Sequence, residues 1–380
     1  MKDVLFVIES LNCGGSEKSL LAILQNFDYS KYNVDLLMIV EDSEFQKFLP
    51  KEVNVIFFKP LKDTGFFKLL LNRIQLKVLK IDKKFHPAQV FWRVFGKSIP
   101  NHNKFYDTIF ASNQGFATYF VATKTKSFKK IAYLNIDYKI AGYKPSFDIG
   151  FYKKFDKIIS VSGQCESIFI NEMNLIGQKF DTQVIYDITD VTSVLSLSKV
   201  GKKLPDSNKI KIVTVCRLTH QKGLDLAIEA CDILVRKGYD INWFIVGEGV
   251  LRPKLEALIT KFKLQNNFYL LGFDENPFGY MKSCDIYVQT SIFEGLGLTV
   301  LEAKIIEKPI VCTNFPTVKH ILKDDFSGLI CEMNSIDIAS KIEKYINNPD
   351  LKNKIINNLK KPDNSEKERT MKSLYQLIES

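Results

Sequence analysis

The sequence predicts an α/β protein of two doubly wound domains, and three observations carry that prediction. Short apolar runs of strand length alternate with stretches of helical periodicity along the whole chain. A polar stretch near the middle separates one such series from a second. At 380 residues the chain exceeds the usual size of one domain and suits two.

Composition excludes several classes. Hydrophobic residues make up 46% and charged residues 25%, ordinary values for a globular protein, so neither a disordered nor a fibrous chain is indicated. The seven cysteines are scattered with no C-x-x-C pair and read as reduced core thiols of a cytoplasmic protein. No apolar run approaches the ~18 residues that a membrane span needs. Met1 to Ile8 is better read as a first strand than as a leader, because Glu9 closes its short apolar core.

In the first half, Val4 to Ile8 is a strand, Asn12-Cys13-Gly14-Gly15-Ser16 a turn, and Leu20 to Phe27 a helix. Strands follow at Val34 to Val40, Val53 to Phe58, Thr108 to Ala111, Lys130 to Leu134, Lys157 to Ser162 and Gln183 to Tyr186, with helices between them. The net charge is +10, and much of it lies between Lys62 and Lys97, where nine basic residues face two acidic ones amid Phe66, Phe67, Phe91, Trp92 and Phe95. Two readings fit this segment: a basic amphipathic surface for an anionic membrane, or a helix whose apolar side is core. No nucleic-acid-binding motif accompanies the charge, so nucleic acid is not expected as a partner.

Domains are expected at 1–189 and 209–363, joined by a polar linker over 190–208. The second series has strands at Ile210 to Cys216, Trp243 to Val246, Asn267 to Leu271, Asp285 to Gln289, Pro309 to Cys312 and Leu329 to Cys331. The last stretch, 364–380, carries Met371, Leu374, Leu377 and Ile378 at helical spacing and predicts a helix packing back across the domains.

The chemistry concentrates in Phe293-Glu294-Gly295-Leu296-Gly297-Leu298-Thr299-Val300-Leu301-Glu302-Ala303, a loop between a buried strand and a helix start. In a doubly wound sheet such a loop lies in the ligand crevice, where the helix directs N–H groups and a partial positive charge outward. Arg217 and Lys222 follow the first strand of the same domain, so a planar fork and a mobile ammonium can converge there on a diphosphate.

Glu294 and Glu302, preceded by the Arg217-Leu218 to Lys222-Gly223 run and by Val246-Gly247-Glu248-Gly249, resemble the retaining nucleotide-sugar glycosyltransferases of the family-four type. The resemblance extends to Gly14-Gly15-Ser16-Glu17, Val184-Ile185-Tyr186-Asp187 and Phe326-Ser327-Gly328-Leu329. It implies the GT-B fold: two Rossmann-like domains facing each other across a cleft. It also implies a sugar transferred from a UDP or GDP donor to a hydroxyl acceptor with retention; together with the basic segment Lys62 to Lys97 lying on a membrane, it makes a lipid-linked or growing surface glycan at the inner face the expected acceptor.

In that resemblance Glu294 is the candidate catalytic residue, close to the anomeric carbon. Arg217 and Lys222 grip the diphosphate, the backbone through Gly295, Leu296, Gly297 and Leu298 holds phosphate and sugar, and Glu302 accepts from the ribose. Gly14 and Gly15 approach the phosphates from the other domain. Asn135 and Asp137 follow the strand after which many relatives carry a histidine, and relatives often have Asn where Asp187 stands here. No D-x-D triplet occurs, and no metal or other cofactor is expected. Rival readings are a sugar-nucleotide epimerase, a glucan or sugar-phosphate synthase of the same fold, and a non-catalytic carbohydrate-binding relative.

Overall fold

The structure is a computed structural model that describes residues 1–12, 14–60, 85–189, 191–360 and 365–380. The chain divides into two units: Met1–Ile188 with Glu366–Ser380, and Thr189–Ser365.

The first unit holds a parallel sheet of β1 (Lys2–Val7), β2 (Tyr32–Met38), β3 (Asn54–Phe57), β4 (Phe105–Ala111), β5 (Lys126–Leu134), β6 (Lys157–Ser160) and β7 (Thr182–Val184). Their order is β3-β2-β1-β4-β5-β6-β7, so the winding reverses between β1 and β4. Alternate residues of β1 explain why both faces are covered. Val4 and Phe6 belong to a core with Leu20, Leu24 and Phe27, whereas Leu5 and Val7 belong to another with Trp92, Tyr119 and Phe120.

The terminal helix (Ser365–Glu379) completes the first of these cores. Met371, Leu374, Leu377 and Ile378 join it, Tyr375 stacks on Tyr32 at 5.5 Å, and Lys2 pairs with Glu379 at 2.9 Å. A segment remote in sequence is thereby fixed to the strand that opens the chain.

The expectation of a membrane-facing surface over Lys62 to Lys97 falls largely outside the described residues, which omit 61–84. In the part that is described, the helix Pro87–Phe95 buries Val90, Trp92, Val94 and Phe95. Trp92 lies 5.5 Å from Phe116 and 5.6 Å from Tyr119, so these aromatics are core.

The second unit repeats the plan with β8 (Ile210–Val215), β9 (Ile241–Val246), β10 (Phe268–Gly272), β11 (Ile286–Gln289), β12 (Ile310–Thr313) and β13 (Leu329–Cys331). The order β10-β9-β8-β11-β12-β13 reverses between β8 and β11. Trp243 is fully buried, and its indole N–H donates to Thr214 Oγ1, whose own hydroxyl donates to the Val288 carbonyl.

The stretch expected as a linker instead carries a helix, Val191–Val200, within this unit. Val194 and Leu204 are buried, Asn276 donates to the Leu197 carbonyl, and the Leu204 N–H donates to Ser283 Oγ. The helix packs on the helix Phe278–Ser283 with Val194 and Ser198 buried, while Leu195 and Val200 are exposed. All six described cysteines are buried free thiols.

Candidate functional site

The reversal between β8 and β11 places two loops side by side at the carboxyl ends of their strands, where doubly wound sheets bind ligands. Three hydrogen bonds fasten them together. The Ile292 N–H donates to the Gln221 carbonyl at 2.8 Å, Thr290 Oγ1 to the Lys222 carbonyl at 2.8 Å, and Gln221 Nε2 to the Phe293 carbonyl at 2.9 Å. Gly223 makes this approach possible: its φ is +55°, and a side chain there would collide with the Thr290 carbonyl oxygen.

Between the loops Lys222 Nζ lies 2.6 Å from Glu294 Oε1, with side chains only 12% and 9% exposed. The same carboxylate oxygen accepts from Ser291 Oγ at 2.6 Å and from Gln289 Nε2 at 3.1 Å. Gln289 is itself oriented by Tyr287, whose hydroxyl donates to Gln289 Oε1 at 2.8 Å. The Thr317 hydroxyl donates to the Glu294 carbonyl at 3.3 Å. Glu294 is thus a buried carboxylate held in one orientation by an ammonium, a hydroxyl and an amide.

Just beyond it Gly297, with φ +85°, starts the helix Leu298–Ile305, whose first-turn N–H groups point out of the helix. Leu296 and Leu298 are buried, Gly295 is half-buried, and Glu302 lies 4% exposed on the helix. Arg217, on the loop after β8, is exposed. Lys222 and Glu294 are therefore brought into direct contact, Gly295 to Leu298 lead from them into the helix, and Arg217 presents its guanidinium to solvent on the loop that carries Lys222. Sequence reasoning missed Gln289, Ser291, Tyr287 and Gln221. The first three read as strand interior and loop start, and only the Lys222 to Glu294 contact reveals what they orient.

In the first unit the predicted residues lie at the corresponding reversal, after β1, β4 and β5. Gly14 precedes the helix Gly15–Gln25, and the Glu17 carboxylate lies against it, accepting from Ser16 Oγ at 2.6 Å. Asn135 Nδ2 donates to the Ser112 carbonyl at 2.6 Å, while its N–H donates to Gln114 Oε1 at 2.9 Å, joining the ends of β4 and β5. Asp137 serves a local turn, its Oδ1 accepting from the Lys139 and Ile140 N–H groups at 3.0 and 2.8 Å.

Asp187 accepts a hydrogen bond from Ser19, and burial pushes its carboxyl up to about 7 despite that bond. A carboxyl whose folded value is raised contributes stability that is present below its unfolded value near 4 and lost as pH rises to about 7. Asp187→Asn, which keeps an acceptor for Ser19, is expected to stabilise the protein at pH 8 by up to about 4 kcal/mol and to change little near pH 4. Denaturant melts of both proteins at the two pH values check this.

Comparison with known proteins agrees with this arrangement. Residues 198–362 match the family model described as glycosyl transferases group 1. An uncharacterized glycosyltransferase of Methanocaldococcus jannaschii is 28% identical over 278 residues, 71% of this chain and 66% of its own length. The Campylobacter jejuni N-acetylgalactosamine-N,N'-diacetylbacillosaminyl-diphospho-undecaprenol 4-alpha-N-acetylgalactosaminyltransferase is 31% identical over 189 residues, 48% of this chain and 48% of its own length. The matched stretches thus span between about half and just under two thirds of these two curated relatives. The crystal structure of Anabaena HepE in complex with UDP and glucose superposes with a TM-score of 0.75 at 19% identity, covering 100% of both chains. The fold is of the GT-B class.

Proposed function

We propose that this chain, whose residues 198–362 match the group 1 glycosyl transferases, moves a sugar from a nucleoside-diphosphate donor, UDP- or GDP-linked, to a carbohydrate hydroxyl with retention at the anomeric carbon. The observation that carries the reading is the buried Glu294 carboxylate, held by Lys222, Ser291 and Gln289 beside a helix N-terminus. A nucleoside diphosphate leaves with growing negative charge. The exposed Arg217, the Lys222 ammonium and the N–H groups from Gly295 to Leu298 are the groups that would receive it, in place of a metal ion. Glu294 stands beside the departing bond, and Glu302 accepts from the ribose.

The relative acting on an undecaprenol-linked sugar and the HepE complex with UDP and glucose support a nucleotide-sugar donor and a lipid-linked or growing glycan as acceptor. Such an acceptor would place the enzyme at the inner face of a membrane. Among the described residues no helix is long and apolar enough to cross one.

A thermal-shift panel of UDP, GDP, ADP and their sugar conjugates tests the donor site. A ligand present at ~100 times its dissociation constant should stabilise the protein by about 2.7 kcal/mol. One nucleotide is expected to raise the melting temperature of wild type and to do so much less in Arg217→Ala. Equal shifts in both proteins would remove Arg217 from the site.

A further inference from the structure

At the carboxyl ends of β1, β4 and β5, Ser16, Ser19, Ser112, Tyr133 and Asn135 line a recess open to solvent, whose enclosed space has room for about one water-sized group. Two aliphatic side chains of the helix Gly15–Gln25 complete the lining. The Tyr133 hydroxyl and Ser112 Oγ are buried and make no hydrogen bond to any described residue, although each residue is only 5% exposed. Buried polar groups are rarely left in that condition unless something else completes them.

The chemistry of the wall limits what that is. Tyr133 and Ser112 offer two hydroxyl protons. Ser16 and Ser19 have committed theirs, to Glu17 and to Asp187, so their oxygens face a ligand as acceptors. None of the lining residues is basic, and the Glu17 carboxylate behind Ser16 opposes an anion. A cation would meet the unpaired Tyr133 and Ser112 hydroxyls and no charged side chain among the lining residues. A neutral hydroxyl can accept from Tyr133 and Ser112 and donate to one of the two serine oxygens.

We propose that this recess is a subsite for one neutral hydroxyl of a carbohydrate, and that it selects the acceptor by that group. The word acceptor rests on the transferase reading; the subsite does not. It lies wholly in the first unit and is built from Ser19, Ser112 and Tyr133, none of which the donor chemistry requires.

The test is saturation-transfer NMR on the full chain with methyl α-D-glucopyranoside, methyl α-D-galactopyranoside and glucose 6-phosphate. Wild type, Tyr133→Phe, Ser112→Ala and Arg217→Ala are compared, each with the nucleotide thermal shift measured alongside. Tyr133→Phe keeps the ring and removes only an unpaired hydroxyl, so its melting temperature should hold or rise. Wild type should show transfer to at least one neutral hexoside and none to glucose 6-phosphate. Tyr133→Phe should weaken hexoside binding about five-fold, and Arg217→Ala should leave it intact while losing the nucleotide. Equal hexoside signals in wild type, Tyr133→Phe and Ser112→Ala would overturn the proposal, since the recess would then hold structural water alone. So would the absence of any hexoside signal in a wild type that still binds nucleotide, an outcome that leaves the transferase reading standing. Hexoside binding without nucleotide binding would support the subsite and remove the transferase reading instead.

Discussion

Glu294→Gln is expected to lower sugar transfer by about three orders of magnitude while the nucleotide still binds. Glutamine keeps the shape and the acceptor oxygen that Ser291 uses, but it removes the negative charge beside the departing bond. The same substitution leaves the Lys222 ammonium, 12% exposed, facing a neutral amide. Removing one partner of a buried ion pair costs roughly 3 kcal/mol or more, so part of any activity loss could come from unfolding. Transfer assayed well below the melting temperature of Glu294→Gln separates the two effects. The loss should persist there, in folded protein that still binds the nucleotide. Near wild-type transfer under those conditions would make Glu294 a structural partner of Lys222 and no more.

Gly223→Ala should destabilise the protein by about 3 kcal/mol and lower transfer together with it. The position combines a φ of +55° with a backbone carbonyl, that of Thr290, where a methyl group would sit. Carbonyl oxygens in a stitched loop cannot swing aside as the tip of a lysine can. The strain would be relieved by separating the loop after β8 from the loop after β11, which draws Lys222 away from Glu294. Gly163→Ala is the matching control, because that glycine opens a helix with nothing within 4 Å of its added methyl. Chemical denaturation should place the control within about 1 kcal/mol of wild type. A Gly223→Ala protein as stable as the control would contradict the picture of two loops locked together.

Much of this architecture is legible in the sequence because it rests on short-range patterns. Apolar runs such as Val4 to Val7 and Ile286 to Val288 alternate with helical periods, and that alone specifies a parallel sheet covered on both faces. Arg217, Lys222 and Glu294 are legible for a related reason: each lies on a loop that follows a strand end, where a doubly wound sheet keeps its ligands. What the sequence hides is what depends on contacts between distant segments. The helix Val191–Val200 looks like a linker because four of its residues are serine or threonine, and only its packing on Phe278–Ser283 shows that it belongs to the second unit. Gln289 lies at the end of β11 and reads as one more strand residue until Tyr287, Ser291 and Glu294 are seen around it. Tyr133 reads as core and is core, yet its hydroxyl is left without a partner in a recess shaped by two other segments.

The most direct test of the central claim is release of nucleoside diphosphate from UDP- and GDP-sugars by the purified protein, measured with and without undecaprenyl-diphosphate-linked glycans. The account predicts release from one donor, accelerated by an acceptor and nearly abolished in Glu294→Gln. Folded wild type that binds a nucleotide yet releases none from any donor, with or without acceptor, would contradict it.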